Sequence, residues 1–198
     1  MGVKAKMLPL LVALVLLALS FSTDSRMRRG AEAKSLKATE TDRGTTRALG
    51  IAHGVSFFTM FVVAPLLWYF DLARLPMADT IAWFGVVLML LGLALKVWAM
   101  RTLGAFYTRT LRVAGGQQLV EIGPYQRLRH PGYTGGLCIW IGASLATANW
   151  ISSILVPVLM IGVYQYRIRS EEQMLLGAFG KNYGDYMRRT WRLVPFIY

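Results

Sequence analysis

Two short stretches gather the side chains able to do chemistry. The first is GPYQRLRHPGYTGG, Gly123 to Gly136, which carries Tyr125, Arg127, Arg129, His130 and Tyr133. The second is YRIRSEEQ, Tyr166 to Gln173, which carries Arg167, Arg169, Glu171 and Glu172. A guanidinium matches an anion in a fixed fork geometry, and a carboxylate complements an ammonium group. Histidine and tyrosine add hydrogen-bonding groups of either sense. A plainer reading treats the charges as a solvated helix end with surface ion pairs and the tyrosines as aromatics at a membrane interface. Covalent and metal chemistry find little support. Cys138 is the only cysteine and sits in an apolar run, where a buried inert thiol is the default. The two histidines, His53 and His130, are far apart and lack a metal-ligand spacing, so no metal is expected.

The elements that must position these residues follow from composition. The 198-residue chain is 55% hydrophobic and 16% charged, against about 25% charged in an average soluble domain. That balance points to a membrane protein. Apolar runs at 7–21, 49–70 and 80–100 read as membrane spans, the last two near the ~20 residues a bilayer requires. The first is short enough to read also as a secretory leader. Two further apolar arms, within 133–166 and joined at Ala148-Asn149-Trp150, read as a helical hairpin. Gly135, Gly142 and Ala146 put small residues on one face of its first arm, where the second arm can approach. Gly85 and Gly92 likewise permit close packing of the preceding span. Lys96, near that span's end, is expected to snorkel to the interface. His53 is expected to be a packed polar spot.

Charge sets the orientation. The polar segments 22–49, 101–132 and 167–198 hold all but four of the 22 Lys and Arg residues, the exceptions being Lys4, Lys6, Arg74 and Lys96. Placing all three segments in the cytoplasm obeys the positive-inside rule and requires five spans with the N-terminus outside. A secretory leader would put 22–49 outside, so the first run is read as a helix. The net charge of +12 then reflects cytoplasmic loops and contact with anionic lipid, not nucleic acid. The fold class expected is all-α: a polytopic membrane helix bundle of about five transmembrane helices, with a cofactor site on the cytoplasmic side. Residues 1–100 form its N-terminal transmembrane region and 101–198 its catalytic region. Because the hairpin goes out and returns, its ends meet at one face, which brings Arg129, His130 and Tyr133 near Arg167 and Glu171. Those last two are four residues apart on a helix and share a side, while Glu172 points elsewhere.

The order LV…GPY…RHPGYTG, an apolar hairpin, then R-x-x-x-EE-x-x-L…FG-x-x-Y-x-x-Y…R-x-x-P resembles the integral-membrane isoprenylcysteine carboxyl methyltransferase family, related to phospholipid methyltransferases. The likeness covers about 103–196. It implies methyl transfer from S-adenosylmethionine to the carboxylate of a lipophilic acceptor drawn from the bilayer, such as a prenylcysteine. It assigns cofactor contacts to Gln117, Gln118, Leu119, Val120, Tyr125, His130, Pro131, Gly132, Tyr133 and Glu171, and the acceptor carboxylate to Arg167. Arg167 and Glu171 are thus the expected catalytic pair. The eukaryotic enzymes usually carry a histidine where Gln117 stands.

Three other readings compete. A phospholipid N-methyltransferase has an amine acceptor that must lose a proton, so a base such as Glu171, Glu172 or His130 would matter more. A sterol-type reductase using NADPH shares an RHP-x-Y-x-G-like segment, but EEQMLL stands where a His-rich tail pattern would be expected. A lipid-binding scaffold explains the charge and leaves the GPY, RHP and EE combination unexplained.

Overall fold

The computed structural model describes residues 3–27, 42–107 and 119–198. Six helices are named here: α1 (Val3–Met27), α2 (Thr45–Tyr69), α3 (Ala78–Leu103), α4 (Pro131–Ala146), α5 (Trp150–Phe179) and α6 (Lys181–Arg189). No β-strand occurs among the described residues. Four helices, α1, α2, α3 and α5, are long and apolar enough to cross a bilayer. The fifth bundle helix, α4, has 16 residues and so spans about 24 Å at 1.5 Å per residue. The outward faces are apolar and exposed, at Ile51, Phe58, Phe84, Leu91 and Val158 for example. Lipid is the environment such faces fit.

The first and last spans are longer than the apolar runs suggest. Helix α1 runs on to Met27, carrying Ser20 and Asp24 in the same rod as its apolar residues. Helix α5 continues through Arg167, Glu171 and Glu172 to Phe179, 30 residues in all. Asp24, Arg167, Glu171 and Glu172 on these extensions pair with other groups inside the protein. Helix α2 widens into a π-turn at Thr59–Val63 just before Pro65. Proline lacks an N–H for the Phe61 carbonyl and its ring crowds that position, so the wider turn accommodates it without breaking the rod.

The small-residue face of α4 packs differently from expectation. Gly135 and Gly142 meet Gly92 and Gly85 of α3, not the second arm of the hairpin. A Cβ on Gly92 would lie 2.6 Å from the Gly135 carbonyl oxygen, and Gly85 and Gly142 are equally close. Backbone touches backbone at both crossings, which any side chain would prevent. Gly136 alone faces the second arm, where it meets the Tyr164 ring.

The hairpin turn is capped by Asn149, buried, whose side-chain oxygen accepts from the N–H groups of Ile151 at 3.0 Å and Ser152 at 3.4 Å. The α2–α3 connection closes on this turn through Leu75 N–H to the Ala148 carbonyl and Trp150 N–H to the Ala73 carbonyl. That ties one end of the bundle. The start of α2, the end of α3, the start of α4 and the C-terminal half of α5 lie at the other, where the cavity is.

Candidate active site

A cavity of about 640 Å³ opens among α1, α2, α3, the segment before α4, α5 and α6. Of the residues expected at a site, Leu119, Val120, Tyr125, His130, Gly132, Tyr133, Arg167 and Glu171 line it. Pro131 does not. It is buried at the first position of α4, where its fixed φ and missing N–H suit a helix start. Gln117 and Gln118 lie outside the described residues.

Local structure explains how the wall is built. Gly123 takes φ 58 to start a short turn over Gly123–Gln126, and it packs under Trp98 and Thr102 of α3. The turn buries Tyr125, whose carbonyl accepts from the Tyr186 hydroxyl of α6 at 2.7 Å. Burial, followed by the charge of Glu171, pushes the Tyr125 phenol well above its ordinary range, so it remains a neutral donor. His130 then stands at the N-terminal cap of α4, and its carbonyl accepts the first N–H groups of the helix, from Tyr133 and Thr134.

Arg167 and Glu171 meet through Tyr133. The Arg167 Nε donates to the Tyr133 hydroxyl at 2.8 Å, and that hydroxyl donates to Glu171 Oε2 at 2.7 Å. The four-residue spacing puts both α5 side chains on one side, and the first turn of α4 supplies the phenol between them. A cation and an anion therefore face one cavity, held apart by a neutral bridge. The guanidinium also reaches α2, where its Nη1 lies 3.1 Å from both the Thr45 and Thr46 hydroxyls and 3.6 Å from Asp42 Oδ1.

Glu172 plays a part the sequence did not suggest. It does point away from Arg167, yet it is buried and accepts from three cationic or ring donors. These are Arg129 at 3.0 Å, His130 Nε2 at 3.3 Å and Arg192 at 2.6 Å. Arg129 further donates to the carbonyls of Met187 and Thr190. Backbone bonds join the same segments, Arg129 N–H to Trp191 O at 2.8 Å and His130 N–H to Arg192 O at 3.2 Å. Glu172 thus fastens the RHP segment to the C-terminal tail, and His130 enters the cavity wall with its ring held from behind.

Lys96 is also differently placed from expectation. Its ammonium does not snorkel. It lies 2.9 Å from Asp24 Oδ1 and 3.2 Å from Ser20 Oγ, with the Lys96 side chain 14% exposed, at the cavity wall. The signal was available in principle, since an ionisable residue inside an apolar span usually faces the protein interior with a partner. The partner lay hidden because Asp24 falls beyond the apolar run. His53 stacks on Trp140, with ring centroids 4.9 Å apart, as the packed polar spot expected. Among the described residues no group of three or more His, Cys, Asp or Glu is placed to hold a metal ion.

Such a wall can bind a zwitterion and hold an anionic acceptor. The apolar Leu119 and Val120 and the Tyr125 ring offer a surface for a flat heterocycle. The family model for phospholipid methyltransferase matches residues 80–182. Protein-S-isoprenylcysteine O-methyltransferase B of Arabidopsis thaliana is 34% identical over 116 residues, 58% of this chain and 59% of that protein. The Dictyostelium discoideum protein-S-isoprenylcysteine O-methyltransferase is 26% identical over 161 residues, 79% of this chain and 68% of its own. The chain thus spans about 60% of the length of the first plant relatives, 59% and 62%. A solved structure of the eukaryotic intramembrane Ras methyltransferase ICMT superposes with a TM-score of 0.68 at 22% identity, covering 100% of this chain and 70% of that one. The fold is therefore shared.

Proposed function

We propose that this chain, which belongs to the phospholipid methyltransferase family, transfers a methyl group from S-adenosylmethionine to the carboxylate of a lipophilic acceptor such as a prenylcysteine. The observation that carries this reading is the Arg167–Tyr133–Glu171 line along the cavity wall.

The residues present fit the donor. Glu171 is placed to take its ammonium group, and His130 with nearby backbone donors to take its carboxylate or ribose. Tyr125, Leu119 and Val120, which line the cavity, would enclose its adenine. When bound, S-adenosylmethionine supplies an activated methyl: the carbon–sulfur bond breaks as the acceptor oxygen–carbon bond forms, and the electron pair leaves with sulfur. The chain itself need only position the partners and shape the field around them. Arg167 grips the acceptor carboxylate, already ionised at neutral pH, and aims one oxygen. The acceptor enters sideways from the bilayer, and the donor arrives from the cytoplasm, the side to which the basic segments assign this end of the bundle.

N-methylation of a phospholipid amine is the second reading, and the family description favours it. It needs a proton acceptor, and the carboxylates here are committed. Glu172 is engaged by Arg129, His130 and Arg192, and Glu171 accepts from Tyr133. That supports the carboxylate acceptor. Thermal unfolding of the detergent-purified protein tests the cofactor: S-adenosylhomocysteine should raise the midpoint and NADPH should not, since only a ligand of the native state stabilises it. Stabilisation by NADPH alone overturns the reading.

A further inference from the structure

The turn that opens α2 lies outside residues 80–182, where the family model matches. Asp42 and Thr45 there are fully buried, at 0% exposure. The Asp42 carboxylate accepts from the Thr45 hydroxyl at 3.0 Å, the Thr46 hydroxyl at 2.7 Å and the Thr46 N–H at 3.2 Å. A hydroxyl has one proton. Both threonines give theirs to Asp42, so both present only lone pairs to the Arg167 Nη1 group 3.1 Å away. The carboxylate thus sets the direction of two hydrogen bonds as well as lying 3.6 Å from the guanidinium.

The same turn is fastened to α5 on either side of Arg167. The Tyr166 hydroxyl donates to the Arg43 carbonyl at 2.5 Å, and Arg43 donates to Gln173 at 2.5 Å. Arg43 and Gly44 adopt φ 46 and φ 77, left-handed geometry that only glycine takes without steric cost. The contacts from Arg43 to Tyr166 and Gln173 hold that geometry in place.

We propose that Asp42 is a positioning residue: through Thr45 and Thr46 it fixes the Arg167 guanidinium in the orientation that receives the acceptor carboxylate. The proposal rests on the reading in which Arg167 holds that carboxylate. Tyr133 fixes the Nε edge from α4, and the threonine pair fixes Nη1 from α2. A long, rotamer-rich side chain is thereby held before the acceptor arrives, and a displacement of about 1 Å in such a group costs on the order of 100-fold in rate.

Three variants of the full chain test this, assayed with N-acetyl-S-farnesylcysteine. Thr45→Val/Thr46→Val keeps shape and removes both acceptors. Asp42→Asn keeps size and replaces one accepting oxygen by an NH2 donor, which faces either both hydroxyls at the Oδ1 position or the Thr46 N–H at the Oδ2 position. Each should raise KM for the acceptor roughly 10- to 100-fold, the range for hydrogen bonds to a charged group. S-adenosylhomocysteine affinity should stay within about twofold, the wild-type cofactor wall being intact. Thr45→Ser/Thr46→Ser should restore most of the loss. An unchanged KM in the first two, or equal damage in the serine variant, overturns the proposal. If the valine pair fails to fold, Thr46→Val alone should give the same effect in smaller measure.

If the wild type does not methylate this acceptor, the functional reading falls while the clamp is still judged by nitrogen-15 arginine NMR. The Nη protons of Arg167, assigned by their loss in Arg167→Lys, should exchange slowly in the wild type and faster in Thr46→Val. Equal exchange overturns the clamp.

Discussion

The hydroxyl of Tyr133 stands between Arg167 and Glu171, accepting from the first at 2.8 Å and donating to the second at 2.7 Å. One phenol thus couples the group assigned to the acceptor with the group assigned to the cofactor. Tyr133→Phe keeps the ring and removes both bonds. Kinetics of methyl transfer should show kcat/KM lowered roughly 10- to 100-fold, the loss expected of hydrogen bonds to charged partners. A variant with wild-type kcat/KM would place Tyr133 outside the reaction.

Glu172 and Glu171 are neighbours with opposite expected phenotypes. Glu172→Ala leaves Arg129 and Arg192 facing a buried void, and removing one partner of a buried ion pair costs about 3–5 kcal/mol. Its thermal midpoint should fall sharply, with or without S-adenosylhomocysteine. Glu171→Ala should keep a near wild-type midpoint in the absence of ligand and lose the S-adenosylhomocysteine-induced rise. Reversal of these two outcomes would exchange their roles.

Much of this division was legible in the sequence. The GPY and RHPGY residues are contiguous, and a hairpin must return its second arm to the face it left, so Tyr133 near Arg167 follows from connectivity. The contributions of Asp24, Asp42 and Thr46 were not legible, because they come from helix ends in the N-terminal half and meet the site only through packing. Glu172 was expected to point elsewhere than Arg167 and Glu171, yet its partners lie on two segments that come together only in the folded chain. The glycine face of α4 was visible as a small stripe. Which helix it receives depends on the crossing geometry of three neighbours, and α3, with its own two glycines, comes closer than α5.

That crossing makes its own prediction. Gly92→Val puts side-chain atoms where a Cβ alone would lie 2.6 Å from the Gly135 carbonyl, so α3 and α4 must separate. Overpacking of this kind costs about 1–3 kcal/mol. A lowered midpoint, accompanied by weaker activity because Lys96 lies one turn further along α3, is the expected result. An unaltered midpoint would mean that the two helices are not in backbone contact.

Asp42 predicts a response to acid. Burial raises its carboxyl, but bonds from Thr46 and Thr45 and the Arg167 charge outweigh that and hold it below the usual range. A depressed folded value means the stabilisation is fully present above the ordinary carboxylate pKa of about 4 and is lost as pH falls through the folded value. Thermal midpoints measured from neutral pH down into that acid range should fall less steeply for Asp42→Asn than for wild type. Parallel curves would remove Asp42 from the acid response.

The central claim is that Arg167 presents an ionised acceptor carboxylate to the methyl donor. Its most direct test supplies methyl-labelled S-adenosylmethionine to the purified protein with N-acetyl-S-farnesylcysteine in one reaction and phosphatidylethanolamine vesicles in another. The account predicts base-labile methyl ester on the farnesylcysteine, no label on the amine, and loss of the ester in Arg167→Ala with S-adenosylhomocysteine binding retained. Label on the phospholipid amine alone, or ester formation undiminished by Arg167→Ala, would contradict it.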